Sequence, residues 1–88
     1  MNLRPTTPIK DCRNLGPKTA QWLAEIGVYN LGELERYGII KAFLILKQTQ
    51  PNANLNLLWS FAGALIDVSY KDIPSELKGE LLQTLEQQ

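Results

Sequence analysis

Apolar residues recur along this chain at spacings of three and four, and no segment alternates steadily between apolar and polar positions. A spacing of three and four places apolar side chains on one face of a helix, whereas a half-buried strand would show a period of two. The pattern therefore predicts an all-α fold, a compact bundle of five or six short helices without a sheet.

Glycine, proline and asparagine mark where these helices begin and end. Pro17 suits the first position of a helix, where its missing N–H would have no partner, and Gly27 suits the position just after a helix end. Asn30 and Asn54 are good N-terminal caps for the segments that follow them. These signals predict helices over residues 17–26, 31–37, 39–48 and 55–66, a last helix beginning at Pro74, and a short helix or single turn over residues 9–14.

The predicted helices differ in how much of their surface is apolar. The segment 39–48 is apolar almost all round, so it is either buried between neighbours, which we favour, or leaves Leu44 and Ile45 exposed for a partner. The segment 55–66 has a narrow polar stripe and is expected at the centre of the domain, with Gly63 admitting a close neighbour. The last helix is expected to turn one stripe inward: Leu77, Leu81, Leu82 and Leu85.

The length of 88 residues fits one small domain. Pro5 and Pro8 interrupt regular structure near the N-terminus. Residues 1–8 are therefore predicted to form a flexible arm, and residues 9–88 a single helical domain.

The residue types needed for catalysis are scarce. The chain has no histidine and one cysteine, and its carboxylates are not clustered. The side chains that acid–base or metal-dependent catalysis needs are therefore missing. Cys12 is expected to be a small, half-buried residue rather than a reactive thiol, and Asp67 and Asp72 a helix cap and a solvated charge rather than a catalytic pair. Trp22 and Trp59 lie on apolar faces and fit core packing better than base stacking. We therefore expect no enzyme, no cofactor, no metal and no small-molecule substrate.

The chain also lacks the signs of export or membrane insertion. Its N-terminus has no apolar run of the kind found in signal peptides, and its longest fully apolar run, residues 42–46, is too short to span a bilayer. A cytoplasmic protein without membrane contact is the expectation.

Charge is balanced over the whole chain but not along it. The formal net charge is zero, which argues against strong nonspecific binding to a polyanion. The N-terminal residues 1–18 are basic, with Arg4, Lys10, Arg13 and Lys18 against Asp11 alone, whereas residues 72–88 carry an excess of carboxylates. This distribution either orients the domain on an acidic partner or reflects a solvated tail and a solvated helix face.

The segment from Leu15 to Thr19 contains the strongest candidate for a binding site. Gly16 has no Cβ, so a backbone or a phosphate can come close to it. The amides of Lys18 and Thr19 lie in the first turn of the helix that Pro17 begins, where the helix dipole is positive. A helix start of this kind can hold an anion.

This segment resembles the helix-hairpin-helix motif of DNA-binding proteins. In the resemblance, Leu15, Gly16 and Pro17 form the turn whose amides contact a DNA phosphate, Lys18 lies beside the phosphate, and the segment 31–37 is the second helix. It implies a DNA-binding turn of Leu15, Gly16, Pro17, Lys18 and Thr19, flanked by Lys10 and Arg13. Only one such motif is present, so it implies weak contact with the double-stranded DNA backbone. The alternative is a protein-interaction or homodimerisation module in which the hairpin is purely structural.

Taken whole, the chain resembles the C-terminal domain of the TfoX/Sxy competence-regulator family. The similarity covers residues 9–86 and rests on the order of several stretches: residues 14–19, 22–27, 34–38, 55–59, 63–65, 72–74, 77–78 and 81–82. It implies a small SAM-like all-α domain with one helix-hairpin-helix element, a bacterial origin, and a link to transcriptional control of DNA uptake.

Overall fold

Five α-helices form most of the structure, a computed structural model that describes residues 5–88. They are α1 (Pro17–Ala24), α2 (Leu31–Tyr37), α3 (Ile39–Thr49), α4 (Leu55–Ile66) and α5 (Ser75–Glu86), with two 3-10 helices, η1 (Ile9–Asp11) and η2 (Tyr70–Asp72). The described residues contain no strand, and one isolated antiparallel bridge joins Pro8 to Asn30. The predicted all-α class is confirmed.

The end of α1 lies at Ala24, two residues before the predicted Ile26. Gly27, at a φ of +82°, donates its N–H to the Ala24 carbonyl at 3.0 Å, and Val28 donates to the Leu23 carbonyl at 2.9 Å. These two bonds form the Schellman arrangement, in which a left-handed glycine ends the helix. Leu23 and Val28 are both buried, so the helix end is also fixed by an apolar contact. Gly27 ends the helix as predicted.

The start of α2 is capped by reciprocal hydrogen bonds between its first turn and the two residues that precede the helix. Asn30 Oδ1 accepts from the Glu33 N–H at 2.8 Å, and Glu33 Oε1 accepts in return from the Tyr29 N–H at 2.8 Å. Gly38, at a φ of +95°, follows the last residue of the helix. The observed bounds are therefore those predicted from Asn30 and Gly38.

Residues 5–8 are hydrogen-bonded to the same helix start. The N–H groups of Leu31 and Gly32 donate to the carbonyl oxygens of Thr7 and Pro5, at 3.0 Å and 2.8 Å. A proline cannot donate, but its carbonyl still accepts, which is why Pro5 and Pro8 do not keep the segment apart from the domain. Of the predicted flexible arm over residues 1–8, residues 1–4 lie outside the described residues, and residues 5–8 contact α2.

The core is centred on α4, as its narrow polar stripe predicted. This helix packs against α2, α3 and η2. On α3, Ala42, Phe43 and Leu46 are buried, while Leu44 and Ile45 are half-buried. The largest fully buried side chains are Phe43, Phe61, Ile9, Leu23, Leu34, Leu46, Leu58 and Val28.

Helix α5 lies on the surface of this core. Leu77, Leu81 and Leu85 are half-buried and pack against it, whereas Leu82 is 37% exposed. The prediction that Leu82 faces inward is wrong, because it lies about 100° around the helix from Leu81. None of the residues of α5 is buried.

A close approach at Gly63 joins α4 to two other segments. A Cβ built at this position would lie less than 3.0 Å from Asn14 Nδ2 and from the Val68 carbonyl oxygen. The predicted close neighbour is therefore confirmed, and it consists of a side chain and a backbone group that cannot both move away cheaply.

Gly63→Ala is expected to lower the free energy of unfolding by about 2 kcal/mol. Overpacking costs roughly 1–3 kcal/mol and outweighs the gain in helix propensity of at most about 1 kcal/mol. Gly79→Ala is the matched control, since a Cβ on this exposed glycine of α5 meets nothing within 4 Å. It should stabilise the protein by about 0.5–1 kcal/mol. Urea unfolding of both variants measures the difference, and stabilisation by both would contradict the close approach.

Candidate nucleic-acid interface

The five residues predicted to form the DNA-binding turn surround the start of α1. Gly16 is the N-cap residue, and Pro17 is the first helical residue. Pro17 and Lys18 are exposed, Gly16 and Thr19 are half-buried, and the Leu15 side chain is buried in the core. Leu15 thus fixes the turn to the domain, and the groups that can meet a partner are those of residues 16–19.

The first amides of α1 have no hydrogen-bond partner among the described residues. Within residues 5–88, the N–H groups of Gly16, Lys18 and Thr19 donate no hydrogen bond, and the first bond of the helix runs from the Ala20 N–H to the Gly16 carbonyl at 2.9 Å. No side chain caps the helix, and its first turn carries no carboxylate. In α2, by contrast, all the first-turn amides are paired. The start of α1 therefore offers free donors at the positive end of a helix dipole.

The glycine at position 16 is not required by the fold. Its φ of −136° and ψ of −171° are extended values that any residue adopts. A Cβ at Gly16 would meet nothing within 4 Å. The missing side chain thus leaves open space next to the free amides.

Helix α3 has a similar start, so uncapped amides alone do not single out α1. It begins after Gly38 without a side-chain cap and without a carboxylate in its first turn, and Lys41 is exposed there. The seven residues before it carry Glu33 and Glu35 against Arg36 alone, whereas the seven before α1 carry Lys10 and Arg13 against Asp11 alone. Local charge distinguishes the two helix starts, as does the Gly38 N–H, which donates to the Leu34 carbonyl at 3.0 Å.

The three predicted cations lie on exposed parts of η1, the turn and α1, but they are not equally available. Lys18 Nζ lies 5.6 Å from the centroid of the half-buried Trp22 ring. Arg13 Nη1 lies 3.9 Å from Asp67 Oδ1, in a pair whose side chains are both partly exposed. Exposed pairs of this length are weak. Lys10 is exposed in η1, which packs against α1.

Asn14 connects the turn to the segment that follows α4. Its Nδ2 donates to the Val68 carbonyl at 2.8 Å, and its Oδ1 accepts from the Tyr70 N–H at 3.0 Å. Its φ of +71° is left-handed, a conformation that asparagine tolerates better than most residues. We call this pair of hydrogen bonds the Asn14 bridge. Sequence reasoning missed its role, although an asparagine just before a glycine turn was a usable signal.

The turn lies between η1 and α1, so the helix on its N-terminal side is a three-residue 3-10 helix. The segment predicted as the second helix of the hairpin, α2, follows α1 through a separate connection over residues 25–30. The free amides therefore belong to α1, and α2 does not flank the turn.

The remaining candidates for chemistry have structural roles. Cys12 is buried, and burial, with a smaller contribution from the charge of Asp11, raises the pKa of its thiol, which disfavours the reactive thiolate. Asp67 is the C-cap residue of α4, as predicted, and Trp59 is 8% exposed. The part of the chain that the structure describes holds no group of three metal-ligating side chains. No α-helix among these residues is long and apolar enough to cross a bilayer.

Comparison with known proteins gives a family and a fold relative. The family model described as the TfoX C-terminal domain matches residues 5–85. The fold is similar to that of an uncharacterized protein from Listeria monocytogenes, seen in a triclinic crystal form, with a TM-score of 0.78 and 24% identity over 91% of this chain and 94% of that one. At this identity the likeness concerns the fold. No curated protein matches.

Removal of the Asn14 side chain should destabilise the protein in two separable steps. Asn14→Gly keeps the left-handed backbone but loses both hydrogen bonds, at a cost of about 2 kcal/mol. Asn14→Ala should cost about 1 kcal/mol more, because alanine disfavours a positive φ. Asn52→Ala, in an exposed loop, is the control and should change little. Urea unfolding compares the three variants, and a stability of Asn14→Gly within about 0.5 kcal/mol of the wild type would contradict the bridge.

Proposed function

The chain belongs to the TfoX C-terminal domain family, and we propose that it is a non-enzymatic binding module that contacts the DNA backbone without reading its sequence. The family points to a competence-related regulatory module and is not known as an enzyme family. In the proposed role the domain binds DNA weakly at the start of α1, within a regulator of DNA uptake.

The observation that carries this proposal is the pair of free amides on Lys18 and Thr19. They lie beside the open space at Gly16, at the positive end of an eight-residue helix. A phosphate oxygen placed there would accept hydrogen bonds from both amides and complete the first turn of α1. In α2 the same role is taken by the Asn30 side chain and the carbonyl oxygens of Pro5 and Thr7. The amides bind phosphate of any sequence, so the contact gives position without base recognition.

The surrounding charge supports a weak contact. Lys18 would add its charge to the same phosphate and Lys10 would meet a neighbouring one, while Arg13 flanks the site in its weak pair with Asp67. Two or three neutralised phosphates release few counterions, which gives a modest affinity that depends on salt. A net charge of zero fits this better than tight nonspecific binding.

A second candidate function is self-association through α5. One observation favours it: the apolar stripe of this helix is only half-buried, and Leu82 beside it is exposed. In that case the turn at α1 would be a purely structural joint, and the acidic C-terminal helix would be the interface with a second copy. Leu44 and Ile45, the other surface considered from the sequence, are less suited because they are half-buried on a helix that packs on α4.

DNA binding by the wild type should weaken roughly 10- to 40-fold between about 50 and 200 mM salt, as expected for two or three phosphate contacts. Lys18→Gln should remove one of these contacts, lowering the affinity about tenfold at the lower salt and the slope of log K against log salt by about 0.9. Fluorescence anisotropy with a short labelled duplex measures both quantities.

Lys41→Gln is the matched control, because Lys41 lies in the first turn of the other uncapped helix. It should behave as the wild type. Equal losses in the two variants would mean that α1 has no special role. Binding that does not depend on salt would favour the self-association candidate instead. So would sedimentation that shows a dimer whose formation is unaffected by DNA.

Asp67→Asn should strengthen DNA binding. The change releases Arg13 from its 3.9 Å pair and removes a nearby negative charge, while asparagine retains the left-handed backbone that Asp67 adopts at a φ of +61°. Because an exposed ion pair is worth about 0–1 kcal/mol, the affinity should rise by up to about fivefold at low salt.

Glu86→Gln removes the same charge from the end of α5 and serves as the control for net charge. An increase in affinity for Asp67→Asn alone supports the location of the site. An equal increase in both variants would point to overall charge rather than to this face.

A further inference from the structure

We infer that the DNA-contacting face is composite, and that Lys71 of η2 supplies a phosphate contact beside the turn at α1. This inference rests on the proposed function and extends it to a segment more than fifty residues away in sequence. It adds a second part to the interface, whose partner is the phosphate backbone of double-stranded DNA.

The Asn14 bridge is what places η2 beside the turn. Asn14 Oδ1 lies 3.0 Å from the Tyr70 N–H, and Asn14 Nδ2 lies 2.8 Å from the Val68 carbonyl oxygen. Asn14 is two residues before Gly16, and Lys71 is one residue after Tyr70. The backbone at Lys71 is therefore fixed close to the start of α1, although no local sequence pattern connects the two segments.

Lys71 is available for a partner. It is exposed, and within residues 5–88 its ammonium group has no carboxylate within 4.0 Å, since the one ion pair found there joins Arg13 to Asp67. Its Nζ lies 5.9 Å from the centroid of the Tyr70 ring. At an exposed site such a contact is worth about 0.5–1 kcal/mol, which the charge of a DNA strand can overcome.

The backbone of η2 holds this lysine in a defined place. Ser69 Oγ accepts from the Lys71 N–H at 3.3 Å, and the Asp72 N–H donates to the Ser69 carbonyl at 2.9 Å. The segment also packs against α4. A cation on a fixed backbone loses less entropy on binding than one on a mobile loop.

The acidic groups of this face limit its strength but do not cancel it. Residues 10–18 and 67–72 carry four cations, Lys10, Arg13, Lys18 and Lys71, against the three carboxylates Asp11, Asp67 and Asp72. Asp67 is engaged by Arg13. Phosphate contacts by Lys18 and Lys71 would therefore give the small number of released counterions that the weak binding implies.

The experiment compares the salt dependence of duplex binding for Lys71→Gln, Lys71→Arg and Lys47→Gln. Lys47 is the matched control, because it is an exposed lysine whose Nζ also lies 5.9 Å from an aromatic ring centroid, that of Phe43, but on α3. Lys71→Gln should lower the affinity about tenfold at 50 mM salt and the salt slope by about 0.9, while Lys71→Arg and Lys47→Gln keep the wild-type values.

The outcomes separate this inference from the function on which it rests. Binding by Lys71→Gln equal to that of Lys47→Gln, with Lys18→Gln still weakened, overturns the composite face and leaves the contact at α1 intact. Absence of salt-dependent binding by the wild-type protein overturns both. Urea unfolding of Lys71→Gln should match the wild type, because an exposed lysine contributes little to stability.

Discussion

The contact between Gly63 and Asn14 is the constraint on which the arrangement of this domain depends. Gly63 lies in the central helix α4, and its missing Cβ leaves room for the Asn14 amide. Asn14 then hydrogen-bonds on both sides to the segment that leaves α4. One small residue and one polar side chain thereby fix the turn before α1, the end of α4 and η2 to one another. The same constraint holds the backbone next to Lys71 near the turn that precedes α1.

Most of the fold could be predicted because its signals are local. Asn30, Gly38, Pro17 and Asn54 each act within one helical turn, and the helix starts they predict are those observed. The differences have physical causes that local patterns do not contain. Residues 5–8 contact the domain because α2 needs acceptors for its first amides. Leu82 is exposed because α5 covers the core with one narrow stripe.

Only part of the candidate site could be predicted from the sequence. The glycine turn and its lysine form a contiguous pattern, so Gly16 and Lys18 could be found without a structure. Asn14 itself gave a local signal, as an asparagine before a glycine turn. Its partners and the position of Lys71 could not be found, because they depend on a hydrogen bond between residues 56 positions apart. The start of α3 shows the converse limit. Like α1 it has an uncapped first turn with an exposed lysine, and the surrounding charges and the paired N–H of Gly38 distinguish it from α1.

The most direct test of the account is an NMR titration of the wild-type protein with a short duplex, following each backbone amide. Free amides at a helix start report directly on a bound phosphate, since the new hydrogen bond changes their environment. A phosphate bound at the start of α1 should give the largest shifts at Gly16, Lys18 and Thr19 and smaller ones at Tyr70 and Lys71, and all of them should be lost as salt rises. Shifts confined to the start of α3 or to α5, with residues 16–19 unmoved, would contradict it.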